Sequence, residues 1–521
     1  MIMRMATRIG LAVSLVLAIL LGVNSYAQAQ SVEFTLPKPV PFYAGDAYEL
    51  ALQMNGGVFP DVATVFPMFF YRPMDTISPR AGADAWGMGG AHLAMSRGAK
   101  AMGWNPAALG RMERGELAVD GFSRSSSGTA SALPDTVHIE GQPEFGISDY
   151  TWKLTGISGF GFLGGATPLT TLGGSRLVGG LAYRRHTEAA WGQETLLEMG
   201  LLEGGSGFPF VVGTDDTERG SIESVTASLG YEVLAGDGVS VALGVSGNFL
   251  RGRLRSEITT DVAVRDFESG RLNFQKDYKG FSAEVGVLAD VTDLVSVAGW
   301  MSLPYTLEVY NSRFNQRNIL TPDQTQVVHF RGEVADYDIE VPAFFSGGVR
   351  MGPIKGITVA ADLNQRNWSE AEIKHTRSDY KVFDGPYPSP DLTSYHVGAE
   401  FEFPLMRGAM DDRGMELLSR VGYRTIPLAM YDLDPVEGEG PYYFGDQVEG
   451  EGFSFGFSLL TRTDIRFDLG VEFQSFTLRR WFLDDTRPTD EREISFDDPY
   501  DRAPIIDMSA TTLRFSSAWQ L

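Results

Sequence analysis

The sequence predicts an all-β fold: a transmembrane antiparallel β-barrel of about 14 strands, its lumen filled by a small N-terminal helical hatch. Three observations carry that expectation. Segments in which apolar and polar residues alternate recur from residue 115 to the C-terminus. The links between them alternate between short and long. A glycine- and alanine-dense stretch stands ahead of the first of them.

Composition narrows the alternatives. The 521 residues include 60 glycines, 33 phenylalanines, 19 tyrosines and 8 tryptophans, a balance that suits strands, turns and interfacial rings better than helices. A mean hydropathy of −0.09 is far from that of a polytopic helical membrane protein. The absence of cysteine removes disulfides and thiolate chemistry, and a net charge of −24 opposes nucleic-acid binding, since phosphates would be repelled.

The chain opens with Arg4 and Arg8, an apolar run over residues 9–23, and then "NSYAQAQ". This is the charged, apolar and small-residue succession of a secretory signal peptide, expected over residues 1–29 with cleavage after Ala27 or Ala29. An apolar run of about 15 residues is short for a membrane span. Residues 30–76 form an extension containing "FPDVATVFPMFFYRP". It reads equally as an apolar tail feeding the lumen, a periplasmic docking element or an added layer over the barrel base.

Residues 77–114 are expected to be the hatch, around "GMGGAHLAMSRGAKAMGWNPAALGRM" at 87–112. Small residues let a backbone approach a barrel wall closely. Asn105-Pro106 is expected to end a short helix, because proline disfavours helical geometry in the residue before it, and Trp104 to stack within the plug or on the wall. "GMGGAH" is no dinucleotide loop: no strand precedes it, and His92 stands where the third glycine is needed.

The barrel is expected over residues 115–521. In "DIRFDLGVEFQ", Ile465, Phe467, Leu469, Val471 and Phe473 alternate with polar residues and Gly470. In "FSFGFSL", three phenylalanines and Leu459 alternate with Ser454, Gly456 and Ser458. Successive strand side chains point to opposite faces, so each segment has one apolar and one polar face. The periodicity predicts strands near 115–124, 155–168, 176–188, 221–234, 238–255, 277–290, 294–310, 338–350, 356–372, 393–404, 415–427, 450–461, 464–480 and 508–521. A soluble sandwich alternates too, but has no reason to segregate short links ("AGD", "VTD", "GPIKG", "RT") from long ones; an outer-membrane barrel does, with periplasmic turns and extracellular loops. The last strand, "TLRFSSAWQL", carries Leu513, Phe515, Trp519 and Leu521 on one face, close to the signal read by a barrel-assembly machinery, with leucine rather than an aromatic residue at the end.

The 87–112 segment resembles the hatch of FadL-type outer-membrane transporters, through Gly87, Gly89, Ala91, Ala94, Ala99, Asn105, Pro106, Ala107 and Leu109, with Trp104 beside the Asn-Pro-Ala motif. The upstream "ISPRAGADAWGMGG" is similar to the related PorV-type barrels of a protein-secretion system. The resemblance spans residues 77–521. Where family members often carry an acidic pair, this chain has Ser96, Arg97 and Lys100, so the plug is expected to hold different lumenal partners.

What the resemblance implies is a Gram-negative outer-membrane location among lipid and lipopolysaccharide. It also implies passive uptake of hydrophobic small molecules, of the long-chain fatty acid or aromatic hydrocarbon class, with sideways release through a wall gap beside a kinked strand. The third strand, "RLVGGLAYRRHTEA", offers Gly179 and Gly180 as weak points, and Arg184, Arg185 and His186 as contacts for a carboxylate head group. The same residues read more simply as packing glycines and interfacial arginines. The alternative function is a PorV-like barrel binding exported proteins on its extracellular loops. No catalytic residue, metal site or cofactor is expected: the six histidines show no ligand spacing and no nucleophile elbow is present. The acidic loops near 434–451 and 484–501 suit calcium or plain solvation.

Overall fold

The computed structural model describes residues 80–130, 146–172, 175–199, 210–236, 239–263, 270–319, 327–332, 336–375, 385–386, 391–408, 411–433, 444–461, 464–479 and 505–521. The expected signal peptide and extension, residues 77–79 and most of both acidic loops lie outside these. Fourteen antiparallel strands close on themselves. They are β1 (Glu116–Ala130), β2 (Gly146–Leu172), β3 (Ser175–Met199), β4 (Phe210–Gly236), β5 (Val239–Ala263) and β6 (Gly270–Thr292). Next come β7 (Val295–Ser302, resuming as Tyr305–Ile319), β8 (Tyr337–Val341, resuming as Phe344–Ile354) and β9 (Ile357–Arg366, resuming as Glu372–His375). β10 (Leu392–Gly408), β11 (Asp411–Leu433), β12 (Phe444–Leu460), β13 (Ile465–Arg479) and β14 (Ile505–Gln520) complete the circuit. β1 pairs with β2 on one side and with β14 on the other, from Glu116↔Gln520 to Ala130↔Ile506. Short pieces at Val327–Gly332 and Gly385–Pro386 add to β7 and β9 at the long-loop end.

Each expected strand has one counterpart, and most extend further toward the long loops; β2 and β4 reach 27 residues. Three differ in kind. The expected continuous strands 294–310, 338–350 and 356–372 are each interrupted, at Leu303–Pro304, Pro342–Ala343 and Asn367–Ala371. Proline has no N–H to donate to a ladder, which accounts for the first two. At the third, a single 3-10 turn (Trp368–Glu370) is inserted. On the short-turn side, Lys355-Gly356 has positive φ at both residues (53° and 79°), as a tight hairpin turn requires.

The two faces differ as the periodicity demands. Phe453, Phe455 and Phe457 are 52%, 50% and 53% exposed, while Ser454 and Ser458 between and beside them are 1% exposed. Leu181, Val225, Phe249, Phe281, Val359, Val397, Leu469 and Phe515 continue the exposed apolar band round the barrel. Such a band far exceeds the apolar patches of soluble monomers and matches lipid, while closure pairs the backbone groups along most of each strand. The opposite phase, including Asp120, Asn248, Glu284, Asp362, Glu400, Arg420, Asp468 and Arg514, is buried inside.

Candidate functional site

The lumen is filled, toward the short-turn end of the strands, by residues 80–114: helix α1 (Ala83–Gly87) and two 3-10 turns, Ala99–Gly103 and Pro106–Arg111. Nearly every residue of this hatch is buried. The wall receives it through inward-facing glycines. Gly230, Gly244 and Gly286 stand side by side on β4, β5 and β6, paired Gly230↔Gly244 and Gly244↔Gly286. A Cβ on Gly244 would enter the Pro106–Ala107 peptide, and one on Gly230 would meet Gly110 N and Leu109 Cβ. Across the lumen, Gly398↔Gly422 and Gly456↔Gly470 form two further pairs. They face Met88–Gly89 and Ala83–Gly87, with Gly87 and Gly456 approaching backbone to backbone. Gly89 is doubly committed: its φ is +65°, and an added Cβ would meet Tyr423 backbone atoms from 2.7 Å.

The motif residues therefore serve seating. Ala91, Ala107 and Leu109 are fully buried. Asn105 differs from its expected role, since the first 3-10 turn has already ended at Gly103. Asn105 caps the next turn, its Oδ1 accepting from Ala107 N at 3.1 Å, while its Nδ2 donates to Val287 O on β6 at 3.0 Å. Pro106 follows at the first helical position, where its missing N–H costs nothing. Trp104 donates to Ala81 O at 2.6 Å and lies edge-on to His92.

Charge bolts the hatch to β13. Lys100 Nζ donates to Asp84 Oδ1 at 2.7 Å and to Asp468 Oδ2 at 2.8 Å, while Arg466 reaches Asp84 Oδ2 and Asp468 Oδ1, both at 2.6 Å. Burial alone would raise the Asp84 carboxyl, but Lys100 and Arg466 hold it well below the usual carboxylate range. Its stabilising contribution is thus fully present above that range and is lost only as pH falls through the depressed value. Lys100 thus joins an acid on α1 to another on the wall. Ser96 Oγ donates to His92 O, and Arg97 lies 4.0 Å from Glu400.

Opposite, Asp362 Oδ2 on β9 accepts from His92 N at 2.7 Å and Leu93 N at 2.8 Å. Burial pushes the His92 imidazole down to about 4, so it is neutral. Asp362→Ala is expected to orphan both hatch N–H groups at about 1–3 kcal/mol each. Asp362→Asn, which keeps an acceptor, should cost less; urea unfolding in detergent reads the difference.

Two cavities lie between the hatch and the long-loop end. One, with about 780 Å³ of empty space including its mouth, is lined by Ile222, Leu250, Leu307, Trp300, Phe344 and Trp368 together with the charged Arg80, Arg184, Glu284 and Arg366. The interruptions of β7, β8 and β9 supply it: Trp368 sits on the inserted turn of β9 and packs on Phe344 beside the β8 break, ring centroids 5.2 Å apart. These residues belong to a buried apolar cluster that also holds Tyr278, Val309, Ile339 and Leu392. The other cavity, about 810 Å³ including its mouth, is lined by Arg80, Arg124, Arg366 and Arg424 together with Trp86, Trp104, Leu392 and Ile426, and shares Arg80 and Arg366 with the first.

The wall is interrupted beside the first cavity. The β2–β3 ladder runs from Leu172↔Ser175 to Phe162↔Arg184, stops, and resumes at Thr151↔Glu194. Over that interval residues 152–160 remain paired to β1 and residues 185–193 to β4, so both edges are held while no pair joins them. The interval is roughly 30 Å long at the usual rise of a strand. Gly179 and Gly180 are not at the break; they lie in the continuous ladder, paired with Thr167 and Ala166 and with Leu229 and Ser228. Gly180 makes room for Met102 of the hatch, and Gly179 for Leu169.

Arg184, Arg185 and His186 occupy the lower corner of the break, each already partnered. Arg184 pairs with Glu284 at 3.1 Å and Asn248 at 3.2 Å. Arg185 pairs with Glu223 at 3.3 Å and crosses toward β1, its guanidinium 5.7 Å from the Phe122 ring and against Gly159. His186, at a bulge between β3 and β4, shares a hydrogen bond with Ser224 Oγ at 2.8 Å. Sequence reasoning missed the wall glycines and the β7–β9 interruptions. Glycines recurring on the polar phase, and Pro304 and Pro342 inside expected strands, were the available signals.

No family model and no curated protein matches the chain. Among solved structures, that of a Pseudomonas aeruginosa FadL homologue is similar over 84% of this chain and 98% of its own, with a TM-score of 0.52 at 12% identity. That of the P. putida toluene transporter TodX is similar over 85% and 99%, with a TM-score of 0.53 at 14% identity. The chain thus has the fold of the FadL-type barrels whose hatch motif its sequence resembles.

Proposed function

We propose that the protein is a passive outer-membrane channel for hydrophobic compounds, of the fatty acid or aromatic hydrocarbon class. Cargo enters from the long-loop side, rests in the aromatic-lined cavity and leaves sideways into lipid between β2 and β3. The observation that carries this reading is the pairing of a bolted hatch with an unpaired interval of wall at the same cavity: His186 and Thr187, on the β3 edge of the break, also line the cavity with Trp300, Phe344 and Trp368. A hydrophobic solute gains little from a water-filled pore, whereas a cavity with aromatic and aliphatic side chains in its lining, opening toward acyl chains, offers it apolar contact. The neutralising partners of Arg184 and Arg185 favour cargo without a full charge at that corner. The location, with lipid and lipopolysaccharide around the band and a barrel-assembly machinery inserting it, belongs to the same proposal.

Uptake of labelled toluene and oleate into proteoliposomes tests it. Thr187→Trp, which fills the cavity at the break, is expected to slow uptake about tenfold while thermal stability in detergent stays near that of the parent. Uptake indistinguishable from protein-free vesicles, together with a stoichiometric secreted protein on purification from cells, would instead favour the PorV-like role.

A further inference from the structure

We propose that the outer face of β4, β5 and β6, just beyond the apolar band on the long-loop side, binds the phosphates of lipopolysaccharide. On β5 the change from apolar to cationic is abrupt. Its outward residues Val239, Val241, Leu243, Val245 and Phe249 belong to the band, and the next three in phase are Arg251, Arg253 and Arg255, all exposed. From Val239 to Phe249 the strand advances ten residues. At about 3.3 Å each and a tilt of about 40°, that is a rise of roughly 25 Å, the height of a barrel's apolar band. Arg251 therefore starts at the level of the lipid head groups. Phe249 faces Phe281 on β6, ring centroids 5.1 Å apart, as the aromatic rim just below that level.

The cations of this face are gathered against their own repulsion. Arg251 stands directly opposite Lys279 on β6, and Arg255 directly opposite Arg219 on β4. Like charges directly opposite in a sheet are destabilising. Three acids share the face, and each is already engaged. Asp277 holds Arg253 at 2.5 Å. Glu223, opposite Arg251 in the ladder, holds Arg185 at 3.3 Å and accepts from Ser221. Glu308, opposite Lys279, accepts from the Tyr310 hydroxyl at 2.5 Å, while Lys279 lies over the Tyr310 ring at 4.5 Å. Among the described residues, Arg219, Arg251 and Arg255 form no ion pair with a carboxylate. The face thus keeps a surplus of positive charge in a chain whose net charge is −24.

An anion seated on the face would offset both the repulsion and the surplus. Arginine forks take phosphate oxygens two at a time, and the long stems of arginine and lysine lie along apolar surface while their heads reach into the polar layer. The cations stand at two levels. Arg251 and Lys279 lie about 7 Å along the strand from the phenylalanine rim, and Arg255 and Arg219 roughly 20 Å from it. A phospholipid with one phosphate at one level would leave the upper pair unmet. A lipid carrying several phosphates on an extended sugar head group reaches both, and lipopolysaccharide is that lipid on the long-loop side of an outer membrane. The site rests on the outer-membrane placement proposed above, and not on the route of uptake.

Labelled bisphosphorylated lipopolysaccharide, titrated against the full-length protein in detergent and followed by fluorescence anisotropy, tests the proposal. It is expected to bind saturably, and less tightly as salt is raised. The Arg251→Gln/Arg255→Gln variant should lose at least about tenfold in affinity. Arg114→Gln/Lys355→Gln, which removes the same charge from exposed residues at the short-turn end, should bind as the parent does. Equal affinity in the parent and the Arg251→Gln/Arg255→Gln variant overturns the proposal, as does an equal loss in the short-turn variant. Dephosphorylated lipopolysaccharide, phosphatidylglycerol or inorganic phosphate binding the parent as tightly overturns it too, and this comparison decides even where a variant does not fold. Toluene uptake is measured in vesicles free of lipopolysaccharide, so a failure of the uptake reading and a failure of this site are distinguishable.

Discussion

Gly422→Ala is expected to unseat the hatch while leaving the barrel closed. The added methyl would enter the peptide between Met88 and Gly89, where both sides of the contact are backbone and no side chain can swing away. Overpacking of well-packed interiors typically costs about 1–3 kcal/mol, and a backbone-on-backbone collision belongs at the upper end. The strand itself should tolerate alanine, since the Gly422↔Gly398 and Gly422↔Ser454 ladders do not depend on the missing Cβ. The measurement is liposome swelling with small sugars, alongside proteolysis of residues 87–112. Vesicles carrying the parent should stay tight, and those carrying Gly422→Ala should leak. Gly347→Ala, on the outer face with nothing within 4 Å of the added carbon, is the control and should behave as the parent. If Gly422→Ala vesicles remain as tight as the control, the glycine contacts do not govern hatch seating.

Lys100→Met should produce the largest loss of stability. It removes the cation between Asp84 and Asp468, leaving Arg466 alone to serve two buried carboxylates. Breaking a buried ion pair by deleting one partner costs about 3–5 kcal/mol, mostly because the remaining charge is stranded. The double variant Lys100→Met/Asp84→Asn removes one stranded charge and should recover a large part of that loss. Urea unfolding in detergent, followed through tryptophan fluorescence, completes the double-mutant cycle. A single variant as stable as the parent would mean that water or rearranged side chains replace the lysine.

The strands were legible because their signal is local. Phe453, Phe455 and Phe457 need only the period of a strand and one apolar surroundings to be placed, and the expected and observed strands correspond along the whole barrel. The hatch was legible as a segment of small residues, but Asn105 was read from proline's effect on the preceding residue alone. Its second bond, to Val287 O, depends on a strand more than 180 residues away. Gly179 and Gly180 show the same limit. A glycine in a strand marks either a weak point or a close neighbour, and only the position of Met102 and Leu169 distinguishes the two.

Alternation along the chain was enough to determine that this protein closes into a barrel, greasy outside and polar within, and that residues 87–112 stand apart as its plug. Both follow from properties of neighbouring residues: side-chain direction in a strand, and backbone freedom in glycine and alanine. Tertiary structure alone decided where the β2–β3 wall comes apart, that β7–β9 fold an aromatic cavity inward, and that four arginines from the hatch, β1, β9 and β11 meet across one space. Those features are set by register and by pairing between distant segments, quantities that depend on the closed geometry and leave no period in the sequence.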